Sequence, residues 1–218
     1  ATAHTSGLYH SHTSALPSSN QGHGLGISNA SKLLLYQNGS NQTVDSPTVI
    51  LNQWNHVAIT RASGSKKVFL NGALVKTISE TEAYTGTYMT VGGYYSTSFL
   101  MNGYIADFNY IKGTAKYTSA FTPPTSLVSN HSNTKLKLNF AQAGIFDSSL
   151  KNALALTGNV QESTTQTKYS TTNMKFDGSG DYILIDDPIF AVGKGDFQVQ
   201  FWVYQLDTSD RGYFHCGT

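Results

Sequence analysis

Two glutamates spaced two residues apart are the first candidates for chemistry in this 218-residue chain. Glu80 and Glu82 would point to the same face of a strand, and retaining glycoside hydrolysis requires two carboxyl groups about 5 Å apart. The segment around them, residues 79–87, is polar and lacks the neighbouring aromatic and acidic residues that such an active site requires. We therefore interpret the pair as part of a solvated loop and predict that the protein is not an enzyme.

Histidine and cysteine offer weaker candidates. Cys216 directly follows His215, so on a strand their side chains point to opposite faces and do not form a catalytic pair. Four histidines near the start of the chain are the candidate metal ligands: His4, His10, His12 and His23. His10 and His12 share a face, but two imidazoles do not complete a zinc site. We interpret the group as an exposed, histidine-rich edge.

Aromatic residues with amide neighbours are the strongest candidates for ligand binding. They lie in and beside the segment that follows a Gly-Gly pair: Tyr94, Tyr95, Phe99, Asn102 and Tyr104. Aromatic faces stack on sugar C–H groups while amides bond the hydroxyls, so we expect a weak site for a neutral sugar here. The alternative is that about half of these rings belong to a sheet core, since tyrosine is favoured in strands.

The composition excludes two classes of partner. Lys and Arg number 14 against 13 Asp and Glu, and charged residues make up only 12% of the chain. Nucleic-acid and anionic-membrane binding rely on a basic surface, which this balance does not provide. No apolar run approaches the roughly 18 residues of a membrane span, so we predict neither a nucleic-acid partner nor membrane insertion. The single cysteine cannot form an intramolecular disulfide.

The elements that position these residues are predicted to be strands. Period-two alternation bounded by Gly, Asn and Ser recurs along the chain, and helical periodicity is nearly absent. Asn38-Gly39 and Asn71-Gly72 mark tight reversals between antiparallel strands. In residues 197–204 (FQVQFWVY) we expect the side chains of Phe197, Val199, Phe201 and Val203 to face the core. The predicted fold class is all-β, an antiparallel β-sandwich of jelly-roll type.

Several strings carry a resemblance to a known family. Four lie in the first part of the chain: residues 51–61 (LNQWNHVAITR), 68–72 (VFLNG), 91–94 (VGGY) and 103–110 (GYIADFNY). Two lie near the end: residues 176–183 (FDGSGDYI) and 197–204 (FQVQFWVY). Together they resemble the strands of laminin-G-like, concanavalin A-like jelly-roll modules. The resemblance implies that Trp54 is a buried core residue whose removal costs about 3–5 kcal/mol.

The order of the strings is permuted relative to the family, because module-closing strings precede module-opening ones. We expect residues 1–125 to supply closing strands, 126–133 to form a linker, and 134–218 to supply opening strands. The opening strands would complete either the same sandwich or that of a neighbouring copy. The chain is accordingly interpreted as a circular permutant or as one repeat of a tandem array, cut in mid-module.

The family resemblance also implies a calcium site, since similar modules hold calcium between the Asp of the closing strand and the opening loop. The corresponding residues are Asp107, Asp177, Gly178 and Asp181. These residue types supply the oxygen ligands that calcium takes. The alternative is that these carboxylates satisfy backbone amides in their own turns.

We predict a non-catalytic adhesion or carbohydrate-recognition module of a larger repetitive protein. The alternative is a structural spacer, joined to neighbouring copies by strand exchange and without a ligand. Residues 134–160 weakly resemble modules of marine phage and bacterial surface proteins, which implies an extracellular, cell-surface or virion location. Expected partners are a glycan or cell-surface protein and neighbouring copies of the module.

Overall fold

The computed structural model describes residues 22–37, 40–44, 47–93, 99–139, 145–149 and 151–217, and almost all regular structure in these ranges is extended. The first eight strands are β1 (His23–Ile27), β2 (Leu33–Gln37), β3 (Ser40–Thr43), β4 (Trp54–Ala62), β5 (Ser65–Leu70), β6 (Ala73–Ser79), β7 (Tyr88–Val91) and β8 (Asn102–Lys112). The later strands are β9 (Thr134–Leu138), β10 (Ala155–Thr157), β11 (Gln161–Ser163), β12 (Asn173–Asp177), β13 (Tyr182–Asp186), β14 (Phe197–Gln205) and β15 (Arg211–Gly217). A short 3-10 helix, η1 (Pro188–Phe190), precedes β14.

The strands form two antiparallel sheets packed face to face, which confirms the predicted sandwich. Sheet A has the order β10-β13-β7-β15-β1-β2-β3. Sheet B has the order β11-β12-β8-β14-β4-β5-β6, and β9 also pairs with β8. Asn71 and Gly72 have φ values of 50° and 83° and make the tight reversal between β5 and β6 that the sequence predicts.

Strands from the two ends of the chain lie side by side within these sheets. β14 lies between β4 and β8, with Val199 opposite Ile59 on one side and Tyr110 on the other. β15 pairs with β1, with Cys216 opposite His23. Residues 126–133 form the last part of the connection between β8 and β9 and have no strand structure. The division of the chain into the three predicted segments stays a prediction.

The core between the sheets is built from one face of each strand. The side chains of Phe197, Val199, Phe201 and Val203 all belong to it, as the alternation along β14 predicts. The ring of Phe201 stacks on Phe108 of β8 at a centroid distance of 5.4 Å.

Trp54 lies outside this core, and the expectation of a fully buried ring is wrong. Val57 and Ile59 of β4 point inwards, so the alternation places Trp54 on the outer face of sheet B. The Trp54 side chain is only partly buried. The cost of removing it is therefore expected to fall well below that of a core residue.

A segment without strand structure covers much of this outer face. We call residues 114–128 the strap. Tyr117 and Phe121 of the strap stack at 3.6 Å, and the Phe121 ring also contacts His56 at 5.5 Å and Phe69 at 5.3 Å. The strap therefore makes a thin additional layer over the middle of sheet B and leaves Trp54 partly exposed.

Candidate functional site

The outer face of sheet B carries three aromatic residues on neighbouring strands, which we call the aromatic row: Trp54, Tyr204 and Tyr104. Tyr204 on β14 is directly opposite Trp54 on β4 and Tyr104 on β8. The ring centroids of Trp54 and Tyr204 are 5.6 Å apart, and those of Tyr204 and Tyr104 are 5.9 Å apart. Trp54 and Tyr204 are partly exposed, whereas Tyr104 is only 5% exposed. Two rings therefore reach solvent, and the third supports them from one side.

A charged network lies beside the row, at the start of β8. The Asp207 carboxylate accepts hydrogen bonds from Asn102 Nδ2 at 2.9 Å and from Arg211 Nη2 at 2.8 Å. Arg211 Nη1 also donates to the carbonyl oxygen of Leu100 at 2.8 Å. Burial acts to raise the pKa of Asp207, but the bonds from Arg211 and Asn102 hold it below its usual value. Asp207 is thus an ionised acceptor within this network at neutral pH.

The predicted ligand-binding residues divide between the two faces of the sandwich. Asn102 and Tyr104 lie two positions apart on β8, beside the charged network and in the aromatic row. Phe99 instead packs against Leu34 and Tyr36, whose side chains point to the outer face of sheet A. The structure therefore brings Asn102 and Tyr104 together and places Phe99 elsewhere.

Some predicted residues lie outside the described residues, and the predictions for them stay predictions. They are Tyr94 and Tyr95 of the sugar site and three of the histidines, His4, His10 and His12.

The predicted calcium ligands fall into two separate groups. Asp177 is opposite Asn102 at the start of β8, whereas Asp107 lies five residues further along the strand, about 16 Å away at the usual rise of a strand. Asp107 has a positive φ of 48° at an irregularity in the pairing of β8 with β14. Its Oδ2 accepts the backbone N–H of Val128 at 2.9 Å. Asp107 therefore cannot share one ion with the opening loop.

The carboxylates of the opening loop already have partners. Asp181 Oδ2 accepts the N–H of Asp177 at 3.0 Å, and its Oδ1 accepts the N–H of Asn159 at 2.8 Å. The Gly178 carbonyl oxygen lies 3.5 Å from Nη1 of Arg211, so a metal ion bound there would face a positively charged guanidinium group. Among the described residues, no group of three or more His, Cys, Asp or Glu could hold a metal. The residues present do not fit a shared calcium site, and calcium binding stays a prediction.

Glu80 belongs to a buried ionic network, so its assignment to a solvated loop is wrong. Glu80 is 2% exposed, and its Oε2 accepts bonds from Lys66 Nζ at 2.9 Å and from the Tyr84 hydroxyl at 2.6 Å. Lys66 also bonds the Tyr84 hydroxyl and, at 3.1 Å, Gln37 Oε1. Burial lowers the pKa of Lys66 to about 8, against the opposing effect of Glu80. Glu82 is exposed, so the two glutamates do not share an active-site cleft.

Arg61 completes the ionic network from β4. Its side chain is fully buried and lies over the rings of Tyr84 and Phe197, at 4.8 and 5.2 Å from their centroids. The guanidinium donates to three backbone carbonyl oxygens, those of Glu82, Gly193 and Gly195, at 2.6 to 2.9 Å. Arg61 thereby fixes two loops at one end of the sandwich.

His23 is buried in the core next to this network, so an exposed edge is the wrong interpretation for it. Its ring lies 4.7 Å from that of Tyr84 and 4.5 Å from that of Phe197. Burial, with further effects of Lys66 and Arg61, lowers the pKa of His23 well below its usual value. Cys216 faces the same core. The neighbouring His215 points to the opposite face, as the strand alternation predicts.

A second group of buried polar side chains lies between sheet B and the strap. We call it the polar layer: His56, Asp107, Asn109, Lys137, Gln198 and Gln200, all of which are at most 7% exposed. Gln198 Oε1 anchors the strap by accepting the N–H groups of Lys116 at 2.8 Å and Tyr117 at 3.1 Å. Burial raises the pKa of Asp107 and lowers that of His56 to about 3.

Sequence reasoning missed the residues that organise both buried regions. Arg61 ends the string at residues 51–61, and Asn109 lies between Phe108 and Tyr110, which face the core. The one sequence feature that could have identified Arg61 and Asn109 is that each is a polar residue within a largely apolar strand. Alternation alone assigns Asn109 to the outer face, but it does not indicate that the strap buries it.

A family described as the concanavalin A-like lectin/glucanases superfamily matches residues 2–134. The match includes β4 to β8 and ends where β9 begins, so the strings at residues 176–183 and 197–204 lie beyond it. No curated protein and no solved structure matches the chain significantly. In the described part of the chain, no helix has the length and apolar character needed to cross a membrane.

Proposed function

Because the chain belongs to the concanavalin A-like lectin/glucanase superfamily, we propose that it is a non-catalytic module that recognises neutral glycans. The observation that carries the proposal is the aromatic row, with partly exposed Trp54 and Tyr204 rings beside the charged network of Asp207. Aromatic faces with a few fixed polar groups are the usual composition of a ligand site.

The dimensions of the row suit an extended sugar chain. Trp54 and Tyr104 are separated by two inter-strand spacings, which is about 10 Å. This span is close to that of two pyranose rings in an extended chain. Lys175 of β12 lies opposite Tyr104 of β8 and adds a hydrogen-bond donor at that end of the aromatic row. Such a shallow surface binds weakly, so adhesion would depend on several copies acting together.

Catalysis has little support in the described residues. Glu80, one of the two glutamates with glycosidase-like spacing, is held by Lys66 and Tyr84 inside the sandwich. Asp207 is held by Asn102 and Arg211. The spacer alternative also has less support, because β14 and β15 pair within the sheets of their own chain and need no strand from a neighbour. A role at a cell or virion surface follows from glycan recognition and belongs to the proposal.

A glycan array with variants of the row tests this function. Trp54→Ala is expected to lower binding at least tenfold while costing only about 1 kcal/mol in the free energy of unfolding, since the ring is partly exposed. Phe146→Ala is the matched control, because Phe146 is an exposed aromatic residue outside the row. Binding should be measured by array and titration, and stability by urea denaturation.

Two outcomes decide against the proposal. If no neutral glycan on the array binds the protein, the spacer alternative is favoured. If glycan binding is unchanged in both Trp54→Ala and Tyr204→Ala, the binding site lies elsewhere on the protein. The array should be repeated with a chelator, because loss of signal on chelation supports the predicted calcium.

A further inference from the structure

The polar layer under the strap contains buried groups without protein partners. Asn109 is fully buried, and neither its Oδ1 nor its Nδ2 has a hydrogen-bond partner in the described part of the chain. The same holds for Asp107 Oδ1, Gln198 Nε2 and His56 Nδ1. Buried polar groups are almost always bonded, and each one that is not destabilises the fold. The unpartnered atoms of this layer are therefore available to bond a group from outside the chain.

These groups converge on one place in the outer face of sheet B. Asn109 is opposite Gln200 on β14 and opposite Lys137 on β9. Asp107 lies at the irregularity in the β8 pairing, next to the step between Gln200 and Trp202. An irregularity of this kind turns a side chain away from its regular direction. The carboxylate, the two carboxamides and the ammonium group therefore surround a common region beneath the strap.

The chemistry of this region selects a neutral ligand that both donates and accepts hydrogen bonds. Asp107 and Lys137 have opposite charges and bond the same residue of the strap, since Asp107 Oδ2 accepts the N–H of Val128 at 2.9 Å and Lys137 Nζ donates to the Val128 carbonyl oxygen. A cation would be repelled by the Lys137 ammonium and an anion by the Asp107 carboxylate. The carboxamides of Asn109 and Gln200 offer donors and acceptors in equal measure, which matches hydroxyl groups.

We propose that the polar layer is an internal binding site for a small neutral polyol, a compound of three to six carbons such as glycerol or a single sugar. The hydroxyls of the polyol would bond the unpartnered atoms of Asn109, Asp107 and Gln198. The site is separate from the aromatic row and does not depend on it.

Entry to the site requires movement of the strap. The strap is attached through Gln198, through Thr60 Oγ1, which donates to the Tyr117 carbonyl at 2.9 Å, and through Lys67 Nζ, which donates to the Thr118 carbonyl at 2.6 Å. These bonds join one layer without strand structure to the sheet, so local opening costs less than global unfolding. A bound polyol would bridge the layer and slow this opening.

Titration with glycerol, D-glucose and D-galactose tests the proposal on the whole chain, with hydrogen exchange of the strap amides as a second readout. We expect saturable binding of at least one of them and slower exchange at residues 114–128. Asn109→Leu should lower this binding at least tenfold and leave the Tm unchanged or raised, because it replaces unpaired polar atoms with an apolar side chain of similar size. Gln198→Leu provides the comparison for stability and should lower the Tm, since Gln198 Oε1 bonds two strap amides.

Three results would overturn the proposal. They are no saturable binding of any of the three compounds, unchanged binding by Asn109→Leu, and a fall in Tm for Asn109→Leu as large as that for Gln198→Leu. If Asn109→Leu does not fold, Asn109→Ala carries the binding test, because it removes the same two polar atoms. Trp54→Ala separates the two sites, because it should abolish glycan binding at the row and leave polyol binding in the layer intact.

Discussion

The ionic network inside the sandwich and the polar layer outside it are equally buried, but they differ in how completely their hydrogen bonds are made. Lys66, Glu80 and Tyr84 bond one another, and Arg61 bonds three backbone carbonyl oxygens. In the polar layer, Asn109 has no partner for either side-chain atom among the described residues. Both regions exclude solvent, so burial alone does not distinguish them.

This difference separates the buried polar groups that hold the fold together from those that we propose bind a ligand. A satisfied network specifies one arrangement of the chain, because any alternative leaves a charge unpaired. In the polar layer, Gln198 and Asp107 anchor the strap, but the unpartnered atoms of Asn109 add no stability, and these are the atoms that we propose bind a ligand. We therefore expect mutations in the two regions to have opposite consequences for stability and binding.

The largest expected effect comes from breaking the ionic network on one side only. Lys66→Met leaves the Glu80 carboxylate buried without its counter-ion, and we expect it to cost about 3–5 kcal/mol. The double variant Lys66→Met, Glu80→Met removes both charges and should recover most of this loss. Urea denaturation of the single and double variants measures both. Equal losses in the two variants would contradict a role for charge pairing.

A fall in pH should destabilise the protein through the buried histidines. Burial lowers the pKa of His56 and of His215 to about 3, and lowers that of His23 well below its usual value. The unfolded chain therefore binds more protons than the folded one below pH 6.5, and stability falls as the pH drops from 6.5 towards 3. Between pH 6.5 and 5.5 we expect a loss of about 1 kcal/mol per histidine, or about 3 kcal/mol in total.

Urea denaturation between pH 6.5 and 5.5 measures the slope of the free energy of unfolding against pH. Histidine variants then show how much of this slope comes from the polar layer and how much from the region beside the ionic network. His56→Phe should remove about one third of the slope, because His56 belongs to the polar layer while His23 lies beside the ionic network. His131→Gln is the matched control, since His131 is exposed. A slope that His56→Phe leaves unchanged would show that the pKa of this ring is not lowered in the folded protein.

The smallest expected effect concerns the attachment of the strap. Thr60→Val removes the hydroxyl that donates to the Tyr117 carbonyl at 2.9 Å and should cost about 1 kcal/mol. Amide exchange in residues 114–128 should accelerate. Thr90→Val removes a similar bond, to the Gly93 carbonyl at 2.8 Å, and should leave strap exchange unchanged. Equal acceleration by both variants would mean that strap opening is global unfolding.

Much of the fold could be predicted, because strand alternation is a local property. The inward face of β14 and the turn at Asn71-Gly72 follow from residue types at neighbouring positions. Trp54 shows the limit of motif-based reasoning, since its string identifies a strand without indicating which face is buried. The candidate site was predicted only in part. Asn102 and Tyr104 are neighbours on β8, but Tyr204 joins them through pairing with a strand about one hundred residues away.

Residue types at neighbouring positions are enough to predict an antiparallel sandwich for this chain, because the alternation of side chains and the turn residues act over a few positions. The laminin-G-like type is implied by the resemblance of its strings, and the family match supports it. Only the tertiary structure decided the surroundings of the polar residues within those strands. Glu80 became a buried partner of Lys66, and Asn109 was buried without a partner. The hydrogen-bond partners of these side chains come from strands and loops distant in sequence, and their positions are fixed only when the sheets and the strap assemble.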